Sequence, residues 1–144
     1  MSFIKTTILS GLLIITSMLS GCSEASSEQL SPQGHIETIV NNVSEYYGVT
    51  PPAIEYDQVL DDTGDTLGHM QCRLDGSDCV LRFRYCVLEM SPYWRANLAA
   101  HEAAHYVNGI VNSTYDHGRE WKSILRDTGW RVYETYPDKN TDPC

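Results

Sequence analysis

The stretch from residue 91 to residue 110 reads SPYWRANLAAHEAAHYVNGI, and it decides the fold that we expect. Ser91 can cap a helix with its side-chain oxygen. Pro92 suits the first helical position, because the N–H that proline lacks would have no partner there. The following residues are rich in alanine, which has the highest helix propensity. We therefore predict a helix from Pro92 to about Ile110.

Within this helix, the run His101-Glu102-Ala103-Ala104-His105 places two histidines four positions apart. Residues at this spacing lie on the same face of a helix, so both imidazoles can face one metal ion. Glu102 projects about 100° around the helix from His101, which is the place for a general base beside the ion. The pattern predicts one catalytic zinc ion and metal-assisted hydrolysis.

A catalytic zinc ion needs a third protein ligand and an open position for water. His117 is the leading candidate, because the polar segment Asn112-Ser113-Thr114 between it and His105 can turn the chain back. Glu120 and Glu134 are the alternatives, since some zinc peptidases take a downstream glutamate as third ligand. Glu120 is more simply explained as a solvated side chain near a helix N-terminus, where the helix dipole favours it.

Four tyrosines lie close enough in sequence to stabilise a developing oxyanion, and nothing selects among them: Tyr106, Tyr115, Tyr133 and Tyr136. Asp116 either caps the following helix or accepts a hydrogen bond from a ligand histidine, and capping is favoured. We assign the three tryptophans, Trp94, Trp121 and Trp130, to the core.

The rest of the chain predicts two more helices and a small sheet. Ser31-Pro32 repeats the cap-and-proline start, and apolar residues recur at helical spacing up to Gly48. A short helix follows from about Gly118 to Asp127. Three segments rich in β-branched and aromatic residues predict a mainly antiparallel sheet: 53–60, 67–74 and 79–89. The fold class that we expect is α+β.

The H-E-x-x-H run, followed by His117-Gly118 and Trp121, resembles the SprT-like metallopeptidases, the group that includes Spartan. In that family a histidine–glycine pair opens the helix after the H-E-x-x-H helix, and an aromatic residue follows a few positions later. The resemblance covers about residues 80 to 130, where Gly129 ends the second helix as the family's glycine does.

The resemblance implies a zincin-like minidomain: an N-terminal helix, a small sheet, the H-E-x-x-H helix and a following short helix. It also implies a zinc ion bound by His101, His105 and His117, with Glu102 activating water for hydrolysis of peptide bonds in a protein or peptide substrate. The alternative function is a catalytically silent zinc-binding lipoprotein that acts as a binding or assembly module. The intact Glu102 favours the endopeptidase.

The first residues predict export. Lys5 is positive, and a short apolar stretch from Ile8 to Leu19 follows. This stretch is short for a bilayer-spanning helix, which needs roughly 20 apolar residues. Leu19-Ser20-Gly21-Cys22 resembles the bacterial lipobox, in which the cysteine is acylated and becomes the mature N-terminus. A secreted protein without a lipid anchor is the alternative.

We therefore predict three regions: a lipoprotein signal peptide at 1–21, a flexible tether at 22–32, and a SprT-like metallopeptidase domain at 33–144. The membrane is the expected partner of acylated Cys22, because several acyl chains anchor a protein stably. Ser23 replaces the aspartate that often marks inner-membrane retention, so the outer membrane is favoured. The sequence gives no indication of the oligomeric state.

Charge and cysteines restrict the partners and the compartment. The chain has 19 acidic and 10 basic residues, and such an acidic balance argues against nucleic-acid binding, which needs clustered positive charge. Apart from Cys22, four cysteines predict two disulfides in an oxidising compartment. Of the three possible pairings we favour Cys72 with Cys79 and Cys86 with Cys144. A structural zinc site is disfavoured, because no two of these cysteines are two residues apart in the manner of zinc knuckles.

Overall fold

The computed structural model describes residues 30–60, 66–73, 77–134 and 144. The predicted signal peptide, Cys22 and nearly all of the tether lie outside these residues, and so does Tyr136. The elements in chain order are helix α1 (Pro32–Tyr46), strands β1 (Ala53–Asp57), β2 (Gly68–Gln71) and β3 (Val80–Arg84), a 3-10 helix (Tyr85–Glu89), and helices α2 (Pro92–Asn112) and α3 (Arg119–Asp127).

The described residues form an α+β fold with a three-stranded sheet in the order β1-β3-β2. Strand β3 lies in the centre, parallel to β1 and antiparallel to β2. The sheet is therefore mixed, and the prediction of a mainly antiparallel sheet was wrong. Alternation of apolar and polar residues indicates which side chains face the core, but it carries no information about the direction of the neighbouring strand.

The third predicted strand is shorter than the 79–89 segment, because the chain turns into the 3-10 helix after Arg84. Buried Arg95 holds the end of this 3-10 helix against α2. Its Nη1 donates hydrogen bonds to the carbonyls of Leu88 at 3.0 Å and Met90 at 3.1 Å. These carbonyls therefore bond a side chain of α2 and not a neighbouring strand.

Helix α1 forms as its sequence predicts. The Ser31 hydroxyl accepts a hydrogen bond from the amide of Gly34 at 3.1 Å, which caps the first turn. Its buried residues recur at helical spacing and face α2: Ile36, Ile39, Val40, Val43 and Ser44. The helix therefore covers one side of α2 with a single apolar stripe.

Helix α2 is the centre of the domain, with α1, α3 and strand β2 all packed against it. Between Arg95 and Gly109 nearly every residue is buried, which explains the alanine-rich sequence, since small side chains let neighbouring elements approach closely. The Ser91 hydroxyl accepts a hydrogen bond from the Trp94 amide at 3.4 Å. The helix thus brings His101 and Glu102 into the interior of the protein.

Two disulfides tie the fold together, Cys72 to Cys79 and Cys86 to Cys144, and this is the pairing that we favoured from the sequence. Disulfides are typical of proteins from oxidising, exported environments. None of the helices in the described part of the chain combines the length and the apolar character that crossing a membrane requires.

The two disulfides differ in the length of chain that each one closes, 58 residues for Cys86–Cys144 and 7 for Cys72–Cys79. A longer loop restricts the unfolded chain more. In the chain-entropy model, we expect that replacing Cys86 and Cys144 together with serine lowers the free energy of unfolding by about 4 kcal/mol, against about 2 kcal/mol for Cys72 and Cys79. Urea denaturation of both double variants measures the difference, and equal losses would contradict loop closure as its source.

Candidate metal centre

Three histidine side chains meet at one point. His101 and His105 come from consecutive turns of α2, and His117 comes from the segment just before α3. Their Nε2 atoms lie 3.2 Å apart for His101 and His105, 2.9 Å for His105 and His117, and 3.1 Å for His101 and His117. These three side chains are positioned to hold a metal ion.

Burial keeps the imidazoles of His101 and His105 neutral, so a nitrogen of each ring is available as a ligand. Burial is the main cause that lowers the pKa of His101 to about 4, with a smaller contribution from His117. Burial also lowers the pKa of His105 to about 3, assisted by His101 and His117. Both imidazole rings are therefore uncharged at neutral pH and each keeps one nitrogen lone pair, as metal binding requires.

His101 is oriented by the main chain of a distant residue. Its Nδ1 lies 2.9 Å from the carbonyl oxygen of Tyr133, which can only accept a hydrogen bond. The proton of the neutral ring must then be on Nδ1, so the lone pair of Nε2 is directed to the metal position. The sequence analysis considered only the phenol of Tyr133 and could not reveal this role of its carbonyl.

His105 has weaker support. A backbone contact with Tyr115 raises its pKa, but this contact departs from ordinary hydrogen-bond geometry, and Nδ1 of His105 is buried. The two histidines of α2 thus differ in how well the main chain behind each ring is aligned with it.

Trp121 of α3 packs against all three histidines. Its ring centroid lies 4.8 Å from that of His101, 5.3 Å from that of His105 and 4.5 Å from that of His117. Trp121 is fully buried, and its Nε1 donates to the carbonyl of His101 at 3.3 Å. The prediction that Trp121 is a core residue is correct but incomplete, because this part of the core also packs against the three histidines.

A tight turn brings His117 back to α2. Ser113 ends the helix in the left-handed conformation, and the ring of Tyr115 then lies against Gly109, where an added Cβ would be 2.1 Å from Tyr115 Cε1. Asp116 Oδ1 accepts a hydrogen bond from the Gly118 amide at 2.9 Å. The N-cap of α3 is Gly118, so Asp116 closes the turn before the helix and is not its N-cap, contrary to the prediction.

Glu102 lies beside the first ligand and is buried, with 6% of its surface exposed. Strand β2 covers it closely, because a Cβ on Gly68 would be 2.9 Å from Cγ and 3.0 Å from Oε1 of Glu102. Burial raises the pKa of Glu102 to about 8. In the absence of a cation this carboxyl group therefore holds its proton at neutral pH.

The other candidate residues are engaged elsewhere. Glu120 pairs with Arg119, and Glu134 pairs with Lys122. Neither glutamate belongs to the group of converging ligands found among the described residues, which contains the three histidines alone. The structure therefore brings together His117 and the two histidines of α2, and it does not bring in a glutamate as third ligand.

The tyrosines considered for an oxyanion differ in their surroundings. The Tyr106 hydroxyl donates to the carbonyl of Thr50 at 2.8 Å and thereby connects α2 to the loop between α1 and β1. Tyr115 lies on Gly109, and the Tyr133 hydroxyl pairs with the Tyr93 hydroxyl at 2.9 Å. None of these contacts directs a phenol to the metal position.

The raised pKa of Glu102 predicts a pH dependence of stability in the metal-free protein. A carboxyl group with a raised folded-state pKa stabilises the fold below its unfolded pKa, and this contribution is lost as the pH rises towards the folded pKa of about 8. We expect the free energy of unfolding to fall by ~3 kcal/mol from about pH 5 to pH 8 because of this group.

Glu102→Gln should remove this loss, whereas Glu120→Gln, a change at a surface carboxylate, should retain it. His101 and His105, whose pKa values are lowered, reduce stability as the pH falls below 6.5, but they do so equally in all three proteins. Urea denaturation in the presence of a chelator measures each curve. Parallel curves for wild type and Glu102→Gln would show that Glu102 is not buried as a neutral acid.

The contact between Gly109 and Tyr115 predicts a second effect. Gly109→Ala gains about 1 kcal/mol of helix propensity, but its methyl group must displace the Tyr115 ring and with it the turn that carries His117. We expect zinc affinity to fall about tenfold or more although the helix itself is favoured. Competition with a chromophoric chelator measures the affinity, and Gly109→Ala/Tyr115→Ala, which frees the space, should recover part of it.

Comparison of the chain with models of protein families, with curated proteins and with solved structures found no match. The family resemblance therefore stays a prediction that rests on the H-E-x-x-H run, His117-Gly118 and Trp121. The histidine cluster stands independently of that resemblance, because its evidence is the convergence of three ligand atoms.

Proposed function

We propose that the protein is a zinc-dependent endopeptidase in which His101, His105 and His117 hold the ion and Glu102 is the general base. The observation that carries the proposal is the convergence of three Nε2 atoms within 3.2 Å of one another, two of them from a helix that also buries Glu102. A metal site built only for structure is normally closed by four protein ligands.

The donor set fits zinc. Around a tetrahedral zinc ion with bonds of 2.0–2.1 Å, ligand nitrogens lie roughly 3.3 Å apart, close to the separations of the three Nε2 atoms. Neutral imidazoles suit zinc among the divalent metals, and they suit copper, iron and nickel as well. Zinc is favoured because three protein ligands on one side leave a position open, which is the arrangement of catalytic zinc sites.

When bound, a zinc ion with three neutral ligands polarises a substrate carbonyl and lowers the pKa of water. A positive charge beside Glu102 favours its ionised form, so the carboxyl that is protonated in the metal-free protein becomes a base. Its carboxylate then takes a proton from the attacking water and delivers that proton to the leaving nitrogen of the peptide. One residue thereby acts first as base and then as acid.

The setting of this activity follows from the sequence. We propose that the protein is exported and anchored by acylated Cys22 to a bacterial membrane, with the outer membrane favoured, and that its substrate is a protein or peptide in that compartment. The two disulfides support export, and the acidic surface argues against a substrate bound to nucleic acid.

The test of the proposal compares wild type, Glu102→Gln and the matched surface variant Glu120→Gln on fluorescein-labelled casein as an unfolded substrate. Glu102→Gln should keep one zinc ion per chain and lose activity by about 10²–10⁴-fold, because it removes proton transfer and leaves the ligands in place. Glu120→Gln should cleave at the wild-type rate. Zinc content is measured by atomic emission on the same samples.

His117→Ala provides the second arm, since loss of a direct ligand should lower zinc affinity by more than about 100-fold. Unchanged zinc content in this variant would rule out His117 as a ligand. Equal cleavage by wild type and Glu102→Gln would refute the role of Glu102. A wild type that binds zinc and cleaves neither casein nor other unfolded proteins would favour the silent binding module.

A further inference from the structure

The chain beyond α3 passes back across the metal-bearing helix. We call residues 130–134 the strap. It begins with Trp130, whose amide donates to the carbonyl of Leu125 at 2.7 Å, and Trp130 and Val132 are half-buried against the core. The next residue, Tyr133, is the one whose carbonyl oxygen lies 2.9 Å from Nδ1 of His101.

The side chain of Tyr133 attaches the strap to the first turn of α2. Its hydroxyl lies 2.9 Å from the hydroxyl of Tyr93, and its ring meets the ring of Trp94 edge to face, with centroids 5.4 Å apart. Arg131 Nη1 donates to the same Tyr133 hydroxyl at 3.5 Å. Tyr93 and Trp94 belong to the same helix as His101, so this attachment fixes the position of the strap along the axis of α2.

The strap has a second attachment, to helix α3. Glu134 forms an ion pair with Lys122 of α3, the helix that His117 precedes. Tyr133 and Glu134, which are adjacent, thus connect the strap to α2 and to α3. The carbonyl of Tyr133 lies between these two attachments, so its position is set by contacts that do not include the metal.

We propose that Tyr133 is a positioning residue for the metal centre. Its side chain holds the strap on Tyr93 and Trp94, and its carbonyl thereby keeps His101 in the Nδ1–H tautomer with Nε2 directed to the ion. The inference requires metal binding by the three histidines and does not depend on peptide hydrolysis. The Tyr115 backbone makes only a poorly aligned contact with His105, so orientation by the main chain acts mainly on His101.

The energetic argument follows from the geometry of an imidazole ligand. A free histidine side chain can rotate about two bonds and can carry its proton on either nitrogen. A carbonyl held behind the ring removes these alternatives and increases the basicity of the ligating nitrogen, and loss of such a partner typically lowers metal affinity 10–100-fold. The two phenols matter because they hold that carbonyl in place.

The experiment measures zinc affinity, by chelator competition, for Tyr133→Ala, Tyr133→Phe, Tyr93→Phe and the double phenylalanine variant. Tyr133→Ala should lose at least tenfold. Each single phenylalanine variant should lose about threefold, and the double variant should lose no more than either one, because all three lack the same hydrogen bond. Tyr46→Ala, at an exposed tyrosine of α1, is the control and should bind like wild type.

A spectroscopic measurement separates positioning from general loss of structure. In the metal-free wild type, nitrogen NMR of labelled histidine should show His101 with its proton on Nδ1, and Tyr133→Ala should shift it towards the other tautomer. With cobalt in place of zinc, the visible absorption of Tyr133→Ala should change, whereas Tyr133→Phe, which keeps the ring, should stay closer to wild type.

Unchanged zinc affinity and an unchanged His101 tautomer in Tyr133→Ala would overturn the proposal. If Tyr133→Ala does not fold, the phenylalanine variants decide, and additive losses in the double variant would count against the shared hydrogen bond. A wild type that binds no zinc would refute the metal centre and this proposal together. A wild type that binds zinc without cleaving peptides would refute the peptidase alone, since every measurement here is made on binding.

Discussion

Burying two imidazoles and a carboxyl group in the middle of a helix has a free-energy cost, and the rest of the structure is arranged to offset it. Isolated polar groups are unfavourable in a protein interior unless they find partners. Here the lone pairs of His101 and His105 point towards the same place as that of His117, an arrangement that only a cation or a proton can make favourable. The turn after α2, the packing of Trp121 and the course of the strap all maintain this convergence.

The same helix explains why much of the site could be predicted from the sequence. Spacing of four residues is sufficient to place His101 and His105 together, and the cap residues Ser91 and Pro92 define the helix that carries them. The structure places His117 with the two histidines of α2, as the turn-forming segment before it predicted, whereas Glu120 and Glu134 pair with Arg119 and Lys122. A sequence predicts best which side chains lie together when they are a fixed, short distance apart in one helix.

What the sequence could not predict involves main-chain atoms and strand directions. The carbonyl of Tyr133 is chemically identical to every other carbonyl, so its contact with His101 is visible only once the chain is folded. The parallel pairing of β1 with β3 could not be predicted either, because it depends on the path of the chain between the two strands. Asp116 was assigned to a helix cap, whereas the N-cap of α3 is Gly118, two residues later.

The position of the strap along the chain has a consequence for biosynthesis. A protein is synthesised from its N-terminal end, so His101, His105 and His117 are made before Tyr133, Glu134 and Cys144. The three histidines therefore exist before the strap that positions His101 and before the disulfide that closes the loop around them. Their arrangement in the folded protein can be complete only after Tyr133 and Glu134 have been added to the chain.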